Sequence, residues 1–173
     1  MVAYHEAGHT IVYLQTLLLP PLYKVSIVPR GQALGVTTFL PDEDQHIQSR
    51  QFLLEELLVL MGGRAAEKTF YDATTNGAAG DLEVARKIAR KMIHEWGMGE
   101  KLYYEPEQRD AEAEINCLLE TADRRAHELI QTHKENTGKL ANVLLDRETL
   151  TREEVLQLLT PAHVIVPADE VPA

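Results

Sequence analysis

The stretch AYHEAGHTIVYLQ (residues 3–15) decides the fold, because it carries His5-Glu6-Ala7-Gly8-His9, an H-E-x-x-H pattern in a segment predicted to be helical. Residues four apart in a helix lie one turn above each other on the same face, so both imidazoles reach toward one metal ion. Glu6 then stands beside that ion, placed to take a proton from water. Neutral imidazoles suit a tetrahedral zinc, a carboxylate suits general-base work, and an open fourth position admits water or substrate. The pattern therefore points to metal-assisted hydrolysis. Against it stands the plainer possibility of a surface helix that carries two histidines and a glutamate by chance.

Outward from this motif, residues 2–18 are predicted to form one helix, ended by Pro20-Pro21. His5 comes only four residues after Met1, which leaves the metal-binding helix almost no N-terminal turn, and helix ends fray. The expectation is a domain of a longer protein, or a gene start close to a domain boundary. No run of about 18 apolar residues is present to span a bilayer, since Ile11–Leu22 is interrupted by Gln15, Thr16 and Pro20-Pro21. The first residues lack the cationic region of a secretory signal.

At 173 residues the chain suits one domain with a developed core, expected over residues 1–160, followed by a mobile tail at 161–173 with three prolines. A formal net charge of -10 argues against nucleic acid as a partner, because phosphates need a basic surface. Cys117, the one cysteine, excludes an internal disulfide and fits a reducing compartment. Its neighbours Leu118 and Leu119 suggest a buried, inert thiol.

After the prolines the period becomes alternating. Val25 and Ile27 flank Ser26, Pro29-Arg30-Gly31 supplies a turn, and Leu34-Gly35-Val36-Thr37-Thr38-Phe39 has strand composition before Pro41. A second, strongly apolar helix is predicted from Ile47 to about Thr69, with Leu53, Leu57, Leu60 and Met61 along one face. Thr74-Thr75-Asn76-Gly77 is expected as a loop. The next helix places Ala85, Ile88, Ala89, Met92, Ile93 and Trp96 at amphipathic offsets and ends at Gly97 and Gly99. Helices at 107–135, 137–146 and 151–159 follow, the last opening on the capping box Thr151-Arg152-Glu153-Glu154. The fold class is mainly α, with a small β-hairpin or sheet.

A catalytic zinc takes three protein ligands, so a third must come from elsewhere. The extended form H-E-x-x-H-x-x-G-x-x-H is excluded, because Val12 and Gln15 stand where it needs glycine and histidine. His46 falls in a loop, His163 in the tail, and His94, His127 and His133 among charged helical residues, where solvated surface positions are expected. Two carboxylates fall on apolar stripes. Asp81 precedes Ala85, Ile88 and Met92 by four, seven and eleven residues, while Glu67 follows Leu60 and Leu53 by seven and fourteen. A buried carboxylate is costly unless paired, hydrogen-bonded or bound to metal. Asp81 also suits the start of a helix and Glu67 an ion pair with Arg64, so position alone leaves both open. The segment Gly62-Gly63-Arg64-Ala65-Ala66-Glu67-Lys68-Thr69 imitates a phosphate-binding loop, but Glu67 replaces its second glycine and no nucleotide site is expected.

Five ordered blocks complete the picture: AYHEAGH at 3–9, KVSIVPRGQALGVTTFLPDED at 24–44, LMGGRAAE at 60–67, GAAGDLEVARKIARKMIHEWGMGEKL at 77–102 and LLDRETLTREE at 144–154. Through them the chain resembles the peptidase domain of FtsH-type ATP-dependent zinc metalloproteases. The resemblance implies that His5, His9 and Asp81 bind Zn2+, that Glu6 is the general base, and that Glu67 orients a metal-bound histidine. It further implies that Leu34, Gly35, Val36, Thr37 and Thr38 belong to an edge strand that pairs with an extended peptide backbone. The implied substrates are unfolded polypeptides delivered by an AAA+ ATPase module, in the same longer chain or in trans. A six-fold ring is implied as the assembly. The implied location is cytoplasmic, with membrane association through segments outside this chain.

Two positions depart from the family pattern. Gly80 stands where an asparagine usually precedes the ligand aspartate, and Asn76 replaces a usual threonine. Gly80 is expected to loosen the ligand loop or to remove a hydrogen bond to the site. These departures keep a second function in view, a weak or inactive module with an assembly or regulatory role. The four intact residues His5, Glu6, His9 and Asp81 argue against it.

Overall fold

The computed structural model describes residues 1–29, 36–39, 47–73, 75–105 and 109–159. The chain is mainly helical. Seven α-helices are described: α1 (Val2–Tyr13), α2 (Arg50–Leu60), α3 (Gly62–Tyr71), α4 (Ala79–His94), α5 (Arg109–Thr132), α6 (Lys134–Arg147) and α7 (Arg152–Leu158). Three strands, β1 (Leu22–Ser26), β2 (Val36–Phe39) and β3 (Thr149–Thr151), form an antiparallel sheet in the order β2-β1-β3. No described helix is long and apolar enough to cross a membrane. Leu34, Gly35, His46, His163 and the expected tail lie outside the described residues.

Helix α1 is buried on nearly every side, from His5 through Tyr13 without interruption. A helix with no solvent face must be central. It packs against α2, α3, α5 and α6, and against β1 and β2. The expectation that its first turn is poorly held is therefore corrected, since Ala3 and Ala7 are fully enclosed and the Tyr4 and His5 amides already donate to the Met1 carbonyl. Support comes from neighbours rather than from added length. Its end differs too: α1 stops at Tyr13, and the turn that follows is held by Glu55, whose Oε2 accepts the Leu17 and Leu18 amides.

The long helix expected at 47–69 is two helices that meet at Met61. Ser49 caps α2 by accepting the Phe52 amide. Just past the division, Gly62 is held in a close contact. A Cβ on Gly8 would lie 2.3 Å from the Gly62 carbonyl oxygen, and one on Gly62 would lie 2.8 Å from that of Gly8. Backbone thus touches backbone where α1 crosses α3, and the Gly62-Gly63 pair serves this crossing instead of a phosphate.

Helix α4 begins at Ala79, buries Ala85, Ala89, Met92 and Ile93, and ends at His94. Trp96 lies beyond it and is exposed, contrary to its place on the expected apolar stripe. Cys117 is also exposed, not buried. The inner face of α5 is set by Ala111, Ile115, Ala122, Ala126 and Ile130, and Cys117 stands about 200° round the helix from Ile115.

Strand β3 escaped the sequence because three residues between two helices are too few to show a period of two. Glu148, with φ of 60°, turns the chain out of α6 in left-handed conformation and aims Thr149–Thr151 at β1. Leu150 then faces Val25, which faces Thr37 across the other ladder. Ser26 Oγ hydrogen-bonds Thr149 Oγ1 at 2.7 Å. Thr151 closes the expected capping box with Glu154 on α7.

Candidate metal centre

His5 and His9 project from one face of α1 with ring centroids 4.6 Å apart and planes nearly perpendicular. Asp81 arrives from the first turn of α4, where the helix dipole favours a carboxylate. Its Oδ2 lies 3.1 Å from His5 Nε2 and 3.3 Å from His9 Nε2, and the two Nε2 atoms are 3.0 Å apart. Among the described residues these three form the one cluster with metal-ligand geometry. His94, His127 and His133 stay away from it and are half-buried rather than solvated.

The outer ring nitrogens are fixed by acceptors. His9 Nδ1 donates to the Val59 carbonyl at 2.8 Å, and His5 Nδ1 lies 2.9 Å from Glu67 Oε1. With protons on both Nδ1 atoms, both Nε2 lone pairs point at each other and at a carboxylate oxygen. Three acceptors converging in this way repel unless a cation or extra protons sit between them. Zinc bonds of about 2.0–2.1 Å in tetrahedral array put donor atoms roughly 3.3 Å apart, close to the spacings observed. The residues present fit a zinc ion.

Without metal, protons take its part. Burial disfavours charge on His5, but hydrogen bonds to Asp81 and Glu67 outweigh it and raise the imidazole above its ordinary value. Burial likewise opposes charge on Asp81, and hydrogen bonds from His5 and His9 overcome it, holding the carboxyl well below the usual range. Glu6 shows the opposite balance: burial pushes its carboxyl up despite His9, Thr37 and His5. Thr37 Oγ1 on β2 donates to Glu6 Oε2 at 2.9 Å.

Glu67 is fully buried and joins the two halves of the site. Its Oε1 meets His5, while Oε2 accepts the Thr75 amide at 3.0 Å and the Thr75 hydroxyl at 3.1 Å. Thr75 Oγ1 in turn accepts the Gly77 amide, opening a single 3-10 turn at Asn76–Ala78 that leads directly into α4. The carboxylate that orients one histidine thereby also sets the approach of Asp81. Thr75→Val keeps the shape and the amide but removes the hydroxyl, and is expected to weaken zinc binding by about 10-fold. Competition with a chromogenic chelator measures it.

Four residues that shape this geometry were not recognised in the sequence as doing so. Val59 contributes a carbonyl, which no side-chain pattern reports, and Thr75 acts from a segment that reads as a plain loop. Gly62 and Gly63 were visible only in an imitation of a phosphate-binding loop, which the sequence itself ruled out. A Cβ on Gly63 would come within 2.5 Å of His5 Nε2 and 2.6 Å of His9 Nε2, so this glycine keeps open the space between the imidazoles. Gly80, expected to loosen a ligand loop, instead lies inside the first turn of α4, with nothing within 4 Å of the place a Cβ would take.

With the geometry in place, comparison with known proteins gives it a family. The model of Peptidase family M41 matches residues 1–112, which include all of His5, Glu6, His9, Glu67 and Asp81. The chain belongs to peptidase family M41. Among similar proteins, ATP-dependent zinc metalloprotease FtsH 2 of Salinibacter ruber is 37% identical over 92% of this chain and 27% of its own length. FtsH 1 of Rhodopirellula baltica is 37% identical over the same shares, and FtsH of Slackia heliotrinireducens is 39% identical over 91% of this chain and 23% of its own length. The M41 chain thus spans about a quarter of the length of these relatives.

Proposed function

We propose that this M41 chain is a zinc endopeptidase domain that hydrolyses peptide bonds of unfolded or extended polypeptides. The observation that carries the proposal is the meeting of His5 Nε2, His9 Nε2 and Asp81 Oδ2 with both imidazole Nδ1 atoms already committed. His5, His9 and Asp81 would hold the zinc, which when bound would supply Lewis-acid polarisation of a carbonyl oxygen and of water. Glu67 and the Val59 carbonyl keep the two rings in the tautomer that presents Nε2. Glu6 takes a proton from the attacking water and delivers it to the leaving amine. Burial favours this role, since a carboxyl pushed upward accepts a proton more readily.

Strand β2 lies at the edge of the sheet, and an extended peptide lying along it is bound through its main chain. Selectivity for side chains is then weak. Val36, Thr37 and Thr38 supply this edge, while Leu34 and Gly35, expected beside them, lie outside the described residues. The relatives are named ATP-dependent, which supports delivery of substrate by an AAA+ module in a longer chain or in trans. A six-fold ring at the cytoplasmic side of a membrane belongs to the same proposal.

The test is cleavage of casein by protein carrying one zinc per chain. Activity should vanish on chelation and return with added zinc. Stoichiometric zinc without cleavage of any unfolded substrate would instead favour a regulatory or assembly module.

A further inference from the structure

We propose that Thr37 is a positioning residue for the general base, so that the strand offered to a peptide and the carboxylate that activates water form one mechanical unit. The inference rests on the metallopeptidase function proposed above and deepens it. Its basis is the hydrogen bond from Thr37 Oγ1 to Glu6 Oε2, 2.9 Å long and made to a carboxylate that is 6% exposed. A hydrogen bond to a charged acceptor in such a setting is stronger than one between neutral groups.

The backbone of Thr37 is placed by its ladder. It stands opposite Val25, which is fully buried, and Val25 stands opposite Leu150 on the other side. The donor therefore hangs from a line of three strands whose middle member packs on α1. Threonine adds its own stiffness, since branching at Cβ limits the side-chain rotamers and so the direction of Oγ1. Glu6 has no such restraint of its own, because a glutamate has three side-chain torsions. Fixing Oε2 leaves Oε1 to handle the proton in a defined orientation.

Strand β2 has four residues and, among the described residues, pairs on one side only. An edge strand leaves one row of its backbone groups unpaired, and a peptide added to that side holds it from both sides. Substrate binding then steadies Thr37, and Thr37 steadies Glu6. Bringing substrate to the edge and aligning the base become one event, which places the effect in kcat.

Thr37→Val keeps shape and branching and removes the donor, while Thr37→Ser keeps the donor. For the zinc-loaded chain on casein, Thr37→Val is expected to lower kcat roughly 10- to 100-fold with KM and zinc content unchanged, the scale of one lost hydrogen bond to a charged group. Thr37→Ser is expected to restore most of the loss. Wild-type kcat in Thr37→Val overturns the proposal, as does a Thr37→Ser protein equally impaired, or a loss confined to KM or zinc. A double-mutant cycle of Thr37→Val with Glu6→Ala in thermal unfolding reads the bond without turnover. Coupling of about 3 °C is expected for this chain length, and additive shifts overturn the proposal. If wild type fails to cleave casein while this coupling is present, the peptidase function falls and the Thr37–Glu6 link stands.

Discussion

Glu6→Gln is expected to keep one zinc per chain and to lower casein cleavage by about 10²- to 10⁴-fold, the contribution of a positioned general base. Zinc should stay because Glu6 holds none of the groups that fix the donors. His5 is oriented by Glu67, His9 by the Val59 carbonyl, and Asp81 by the start of α4. Folding should stay because glutamine has the shape of glutamate, still accepts the Thr37 hydroxyl, and replaces a buried carboxyl by a neutral amide. The loss is therefore one of proton transfer alone. It should exceed that of Thr37→Val, in which the base is present but less well aimed. Elemental analysis for zinc beside a cleavage assay checks both parts, and retained turnover by protein free of wild type would sink the role assigned to Glu6.

What the sequence revealed of this site, and what it withheld, follows from which atoms do the work. His5, Glu6 and His9 are legible because their side chains act at a spacing that only a helix gives. Asp81 and Glu67 were marked by charge on apolar stripes, yet that signal did not separate a ligand from a partner of a ligand. The separation needs distances, since Glu67 reaches Nδ1 of His5 whereas Asp81 reaches Nε2 of both rings. The break at Met61 was hidden because Leu53, Leu57, Leu60 and Met61 keep a helical pattern right up to it, and the close backbone approach of Gly62 to Gly8 involves a residue more than fifty positions away. Strand β3 was hidden for the converse reason, having three residues and a non-glycine left-handed turn before it. Long-range contacts of backbone leave no local trace.

Gly63 gives the sharpest test of such a contact. Gly63→Ala adds a single methyl group, which on the present backbone would lie 2.5 Å from His5 Cε1 and Nε2 and 2.6 Å from His9 Nε2. One of three things must yield. Turning the His5 ring breaks its bond to Glu67, and turning the His9 ring breaks its bond to the Val59 carbonyl. Withdrawing α3 instead opens the crossing where Gly8 and Gly62 touch through their backbones, and carries Glu67 away from His5. Each route spoils the convergence of the donors, so zinc content is expected to fall toward zero, and cleavage with it. Overpacking of this kind costs about 1–3 kcal/mol, which for a domain of this size lowers the melting temperature by roughly 2–4 °C for each kcal/mol. Gly80→Ala is the matched control, one position before the proposed ligand Asp81 but with open space around its Cβ, and should keep zinc, activity and stability. A Gly63→Ala protein that binds zinc as tightly as wild type would show that the rings are not held as described, and the tautomer argument for the metal would fail with it.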